Sequence, residues 1–442
     1  PAAVGCAVFN AATVKAIYDN KANLGLTREQ EMVLDKYYRM FVRGGALLDA
    51  DKKAQFMEIE KQLSLASIEF GDNSLAETNA FELVITDEKD LAGLPQSSID
   101  AAREAAQATG KEGWLFTLQK PSWIPFMQYA DNRDLRKKMY LGYINRGDNN
   151  NDNDNKEVIA RILKLRQQKA QLFGFNTFAE YQLEDKMAKT PEAAYDLLMT
   201  IWKAALPKAK AEAAELQKMM NAEGKGEKLE AWDWWYYTEK LREQKYALSE
   251  SELKPYFSLD NVRKGSFMVA NKLFGVNFRP IEGVDIYHPE VKTFEVLDAD
   301  SSHLALFYAD YFPRATKRAG AWMSNFVEPF NVDGENKRPM IVNVCNFTRP
   351  SGDTPSLLNI DETRTLFHEF GHALHGMLTQ TRYPSVAGTS VARDFVELPS
   401  QIMEHWAIEP EVMKLYAHHY QTGEAIPDEL IAKMQAASSF NS

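Results

Sequence analysis

The chain has 442 residues, of which 45% are hydrophobic and 26% charged, with a formal net charge of −11. That length exceeds one ordinary core and predicts two or three domains or one large composite. The composition is that of a globular protein, and the acidic balance argues against a nucleic-acid binder and against an anionic membrane surface.

The opening "PAAVGCAVFN" has no initiator Met and no basic region of a signal peptide, so the chain is expected to be processed or cut from something longer. Two cysteines, Cys6 and Cys345, are too few and too far apart for a disulfide framework. They predict buried, reduced thiols and a cytoplasmic setting. No apolar run approaches eighteen residues, so no membrane span is predicted.

Most of the chain reads as amphipathic helix, and no fixed-period repeat is present. A polar seam, "GDNNNDNDNKE" at 147–157, separates two helical regions, 1–150 and 151–442. A calcium loop starting at Asp148 would need Gly and Glu where Asn153 and Ile159 stand, so a solvated connection is expected. Beyond it, Val158, Ile159, Ile162, Leu165 and Leu172 keep helical spacing up to Gly174. Thr177 with Glu180 forms a capping box, and Thr190 caps a helix opening on Pro191. The aromatic run "AWDWWYYTEK" at 231–240 has no basic residues interleaved as a nucleic-acid platform would, and is read as helix packing.

Strand signals come late, at 287–298, 303–312 and 338–347, with turn residues at 331–338. They predict a small antiparallel sheet in a mainly α protein. The basic cluster "RATKR" at 314–318 reads as a solvated face.

"HEFGH" at 368–372 follows the sheet. All eight histidines lie at or after position 288, and six crowd into 368–419. Asn359 and Glu362 predict a capped helix start, with the helix running from about 360 to 378. His368 and His372 stand one turn apart, a spacing at which two imidazoles meet one metal ion. Glu369 lies about 100° round the helix, displaced from the metal and suited to reach a water beside it. His375 is about 10 Å from His368 along the axis, too far for the same coordination sphere, and is read as a packing or outer histidine.

A catalytic zinc needs a third protein ligand and one open position. Glu397 can supply that ligand from a following helix, and Glu404 and His405 compete for the place. Glu404, seven residues on, also suits a hydrogen bond to an imidazole.

The stretches "TLFHEFGHALHGML", "GTSVARDFVELPSQIMEHW" and "NVCNFTRPSGDTPSLL" resemble the thimet oligopeptidase/oligopeptidase A family of zinc metallopeptidases. "MAKTPEAA", "AWDWWYYTEKLREQKY", "LKPYF", "YHPEVKTFEV", "GAWMSNFVE" and "YAHHYQTGEAIPDELIAKM" resemble its peptidyl-dipeptidase branch, so the likeness spans nearly the whole chain. It implies a two-lobed helical protein with a deep substrate channel. It also implies one Zn²⁺ per chain on His368, His372 and Glu397, with Glu369 as general base. The implied substrates are short peptides, with C-terminal dipeptides as the product. The open alternatives are internal cleavage by an oligopeptidase and a zinc or peptide-binding fragment without turnover. Family members extend beyond both ends of this stretch, and the later part resembles a loop whose Tyr and His bind the substrate carbonyl. The chain is therefore expected to be an internal piece whose partners include the remainder of its own polypeptide. Those donors are expected beyond residue 442; should a donor lie within the piece instead, Tyr383 and His405 are the first candidates. The segment 340–346 is a candidate to pair with substrate backbone, and equally an interior strand.

Overall fold

The fold is described from a computed structural model covering residues 2–437, apart from 225, 247–249, 315, 316, 319, 333, 351 and 352; the side chains of 2–10, 97, 121, 250, 251 and 332 are also outside the description. Cys6 therefore falls outside it, whereas Cys345 is a buried free thiol. The chain forms two compact units, one of Pro1–Leu47, Asp185–Met187 and Leu248–Met434, the other of Leu48–Glu184, Ala188–Ala247 and Gln435–Ser442. It is mainly α, as expected.

The first unit begins with α1 (Ala2–Asp19) and α2 (Arg28–Arg43). Thr27 and Gln30 close a capping box at the start of α2.

The second unit holds α3 (Ala50–Ala80), β1 (Leu83–Ile85), α4 (Gln96–Ala108), β2 (Trp114–Phe116), α5 (Lys120–Tyr129), α6 (Arg133–Ile144), α7 (Lys156–Leu172), α8 (Phe178–Leu183), α9 (Pro191–Ala222) and α10 (Ala231–Tyr246). The Thr177–Glu180 box and the Thr190 cap form as predicted. In the polar seam, Asn155 is buried and its amide donates to Phe70 O and Ser74 Oγ, both at 3.1 Å. This pins an otherwise exposed connection between α6 and α7.

The aromatic run becomes α10, where Tyr236 and Tyr237 pack on Leu216 and Met220 of α9. Asp233, fully buried there, accepts from Arg133 and Arg136. Burial alone would raise its carboxyl, but these hydrogen bonds hold it below its ordinary value.

The chain returns to the first unit with α11 (Glu250–Leu253) and α12 (Leu259–Phe274). Strands β3 (Asn277–Pro280), β4 (Lys292–Leu297), β5 (His303–Asp310), β6 (Trp322–Val327), β7 (Phe330–Val332), β8 (Glu335–Lys337) and β9 (Met340–Val344) follow, then α13 (Ile360–Met377), α14 (Glu397–Ile408), α15 (Pro410–Tyr416) and α16 (Asp428–Ala437).

The main sheet has the order β3-β4-β5-β9-β6. It is mixed, where an antiparallel sheet was expected, because β5 and β9 pair in parallel. After β5 the chain runs out through β6 and the β7–β8 hairpin, then returns to insert β9 between β5 and β6. Adjacent strand signals do not reveal such an insertion. β3 and β6, which carry little alternation, were not anticipated.

Arg314 and Lys317 of the basic cluster depart from expectation, whereas Arg318 is exposed as expected. Lys317 and Asp310 are 2% and 1% exposed at their side chains and pair at 2.9 Å. Arg314 donates to both oxygens of Asp310, each at 2.9 Å. A carboxylate buried at the end of β5 needs such partners, and it draws Arg314 and Lys317 toward it.

Helix α13 packs on the sheet through an aromatic group. Phe370 lies 5.5 Å from Phe267 of α12, 5.4 Å from Phe278 of β3 and 5.8 Å from Phe307 of β5, centroid to centroid. On another side Gly371 meets α14 so closely that a Cβ would stand 2.7 Å from Ser400 Cα and 2.8 Å from Pro399 O. Helix propensity alone favours alanine over glycine by about 1 kcal/mol. Overpacking against backbone costs roughly 1–3 kcal/mol, so the clash should win. Gly371→Ala should therefore lower the chemical-denaturation midpoint, and an unchanged or higher midpoint would show that the two helices can separate freely.

Candidate metal centre

Asn359 caps α13, its side chain accepting from Glu362 N at 2.7 Å while Glu362 returns a bond to Asn359 N at 2.9 Å. The apolar side of the helix, including Leu366, Phe367, Phe370 and Leu374, is buried. That fixes the rotation of the helix and turns His368 and His372 toward α14.

Glu397 opens α14 and completes the group. Its Oε2 lies 3.2 Å from His368 Nε2 and 3.1 Å from His372 Nε2. Candidate ligand atoms of His368, His372 and Glu397 all fall within 4.8 Å of one another. Two imidazole nitrogens and one carboxylate oxygen converging this way are a donor set that fits a divalent metal of borderline softness. Burial pushes the His372 imidazole below its ordinary value, which favours the neutral form that coordinates metal.

Two further contacts orient the group. Glu404 Oε1 accepts from His368 Nδ1 at 2.7 Å, and its other oxygen accepts from Arg364 at 3.0 Å. Ser400 Oγ donates to Glu397 Oε2 at 3.0 Å. Glu404 thus takes the outer position weighed for it in the sequence rather than competing with Glu397.

Glu369 is buried beside the three, and its Oε2 has no hydrogen-bond partner among the described residues. Burial raises its carboxyl to about 7, against the pull of His368 and with the push of Glu397. It lines the same cavity, of about 320 Å³, together with Ala321, Trp322 and Met323 of the β6 edge and Thr389 and Val396 of the α13–α14 connection. These five lining positions carried no ligand-type signal in the sequence. Tyr383 and His405 do not line that cavity, and His405 is exposed. The segment 340–346 does not offer a free edge either, because β9 is paired on both sides; β6 ends the sheet.

The loop 378–396 fixes where Glu397 begins, and α2 holds it. Glu29 accepts from the backbone N–H of Arg382 at 2.5 Å and of Tyr383 at 3.1 Å. Lys36 donates to the carbonyls of Ser385 and Ser390, and Met187 N donates to Asp394 Oδ1 at 3.0 Å. Nothing in the sequence signals contacts across some 350 positions.

Comparison with known proteins adds an independent line. The sequence pattern of Peptidase family M3 matches residues 126–442. A dipeptidyl carboxypeptidase of Escherichia coli (strain K12) is 40% identical over 432 residues, 97% of this chain and 63% of that protein. Oligopeptidase A of Salmonella typhimurium is 40% identical over 421 residues, 94% of this chain and 62% of that protein. Probable cytosolic oligopeptidase A of Arabidopsis thaliana is 38% identical over 449 residues, 98% of this chain and 64% of that protein. The chain therefore spans less than two thirds of the length of these relatives.

The brace makes a testable prediction. A hydrogen bond to a charged acceptor is worth about 1.5–3 kcal/mol. Glu29→Ala should speed amide exchange at Arg382 and Tyr383 by about tenfold or more. Exchange at wild-type rates would show that the loop holds its place without α2.

Proposed function

The chain belongs to Peptidase family M3, and from that premise we propose that it carries a one-zinc centre built to hydrolyse short peptides. The observation that carries this reading is the approach of His368 Nε2, His372 Nε2 and Glu397 Oε2, with Glu369 buried one residue from the first imidazole. A structural site fills its fourth position with protein and has no use for a buried carboxylate beside it. Because the relatives are longer than this chain, zinc binding is proposed for the chain itself and turnover for the protein at the relatives' length.

His368, His372 and Glu397 would hold the metal. Zinc, when bound, supplies Lewis acidity toward a peptide carbonyl and lowers the pKa of a water. Glu369 then acts at its carboxylate, taking a proton from water and giving it to the departing amine. Burial suits it for this, since a base works best when its pKa lies near the working pH. Glu404 keeps the His368 ring oriented by holding the Nδ1 proton. A peptide entering the cavity would lie along β6, which among the described residues ends the sheet and so offers an edge for strand addition beside the lining residues Trp322 and Met323. An extended edge accepts backbone of any sequence, in keeping with short, unfolded peptides as substrates and with no role for nucleic acid.

Release of C-terminal dipeptides is the preferred product pattern, supported by the likeness to the dipeptidyl carboxypeptidase. Internal cleavage stays a second reading, because oligopeptidase A is equally similar at 40%. No helix among the described residues is long and apolar enough to cross a membrane. A cytoplasmic location is proposed with it, in line with the cytosolic Arabidopsis relative.

Metal analysis should find about one zinc per chain, lost in Glu397→Ala. Glu369→Gln should keep the zinc, and at the relatives' length should lose roughly a hundred- to ten-thousandfold in kcat. Zinc retained in Glu397→Ala would move the third ligand elsewhere, and near-normal kcat in Glu369→Gln would remove the base assignment. Mass spectrometry of products from N-acetylated peptides, with and without a C-terminal amide, separates the two product patterns. Dipeptides released only from free C-termini support the preferred reading; internal fragments from both sets favour the second.

A further inference from the structure

Among the described residues, His368 has a partner for its outer nitrogen and His372 does not. The Nε2 of His372 faces Glu397, which leaves Nδ1 to carry the proton when Nε2 binds a metal, and that Nδ1 is buried without an acceptor. A second buried atom of the opposite kind lies in the strand beneath. Asn343 of β9 is 3% exposed, His372 is 9% exposed, and the Asn343 Oδ1 has no donor among the described residues.

The register of helix on strand puts the two opposite each other. Ile341 and Asn343 alternate along β9 and point to one face of the sheet. Glu369, His372 and Gly376 form one stripe of α13, at positions i, i+3 and i+7. At one end of the stripe a Cβ on Gly376 would come within 2.4 Å of Ile341 Cδ1. Counted from that anchor, four residues along the helix, about 6 Å, match two along the strand, about 6–7 Å, which brings His372 opposite Asn343. A rival acceptor, Asn325 Oδ1, is also buried and unpaired, but it lies 3.5 Å from the Gly376 position, a turn beyond His372.

We propose that Asn343 is a positioning residue for the metal centre, its Oδ1 accepting the Nδ1 proton of His372 directly or through one ordered water. This contact would fix the ring and its tautomer, as Glu404 does for His368. It gives the two imidazoles different supports, one an anionic carboxylate and the other a neutral amide. A carboxylate under both rings would bring a second charge into a site that already holds Glu369 and Glu397. A neutral acceptor orients the ring without that repulsion.

The proposal rests on the zinc reading, and the test keeps the two apart. Zinc affinity of this chain is measured by competition with a chromogenic chelator, alongside thermal unfolding of the metal-free form. Failure of the wild-type chain to bind zinc would overturn the zinc reading and this inference with it. If it binds, Asn343→Leu should weaken zinc about 10–100-fold. Asn343→Asp, which keeps an acceptor, should stay within a few-fold of wild type, and Asn325→Leu should leave affinity unchanged. Zinc affinity within twofold of wild type in Asn343→Leu, or a loss confined to Asn325→Leu, would overturn the inference alone. Should Asn343→Leu not fold, ¹⁵N chemical shifts of His372 in the metal-free wild type at pH 8 decide it. A proton mainly on Nδ1 supports the contact; a proton mainly on Nε2 overturns it.

Discussion

The contact between α13 and α14 at Gly371 governs the rest of the first unit. With no Cβ at that position, Ser400 and Pro399 come within van der Waals reach of the α13 backbone. The first turn of α14 is thereby held beside His368 and His372, and one oxygen of Glu397 comes within 3.2 Å of both Nε2 atoms. A larger residue would push the carboxylate away from the imidazoles, and a metal site tolerates only a few tenths of an ångström. The aromatic group around Phe370 supplies the opposing wall, so α13 is clamped between sheet and helix.

The same clamp sets the electrostatics. Packing buries Glu369 and His372 together, which raises the carboxyl and lowers the imidazole. Both shifts move the groups toward their neutral forms in the metal-free chain. A dication would reverse the cost for the carboxylate, because opposite charge at close range favours the ionised form. Burial and a metal are thus opposing influences, and their balance would leave Glu369 ionised yet poorly solvated, a state suited to taking a proton.

Support for the centre comes from three directions with different chemistry. Glu404 orients His368 through a charged hydrogen bond. The sheet stands beneath the helix, and the contact proposed for Asn343 would support His372 from that side. The third support is α2, whose Glu29 and Lys36 grip backbone groups of the loop that leads to Glu397. Because α2 bonds to main-chain atoms, it can fix the loop whatever side chains the loop carries. The buried Asp310–Arg314–Lys317 group anchors the end of β5, from which the chain proceeds to β6 and the cavity edge.

The sequence by itself determined whatever depends on neighbours a few residues apart. Helix caps at Thr177, Thr190 and Asn359, the helical spacing of His368 and His372, and the mainly α class follow from local geometry of 3.6 residues per turn and could be read directly. The family was legible too, because long quoted stretches carry more information than a five-residue motif. Contacts between distant segments were decided only by tertiary structure. The spacing of Glu397 left Glu404 and His405 as rivals until α14 packed and turned Glu404 toward the outer nitrogen of His368. The insertion of β9 between β5 and β6 moved the free sheet edge from residues 340–346 to β6. Arg314 and Lys317 looked like solvated cations until Asp310 was found buried beside them. The physical reason is the same in each case: a side chain's environment is set by what packs against it, and that partner can lie anywhere along the chain.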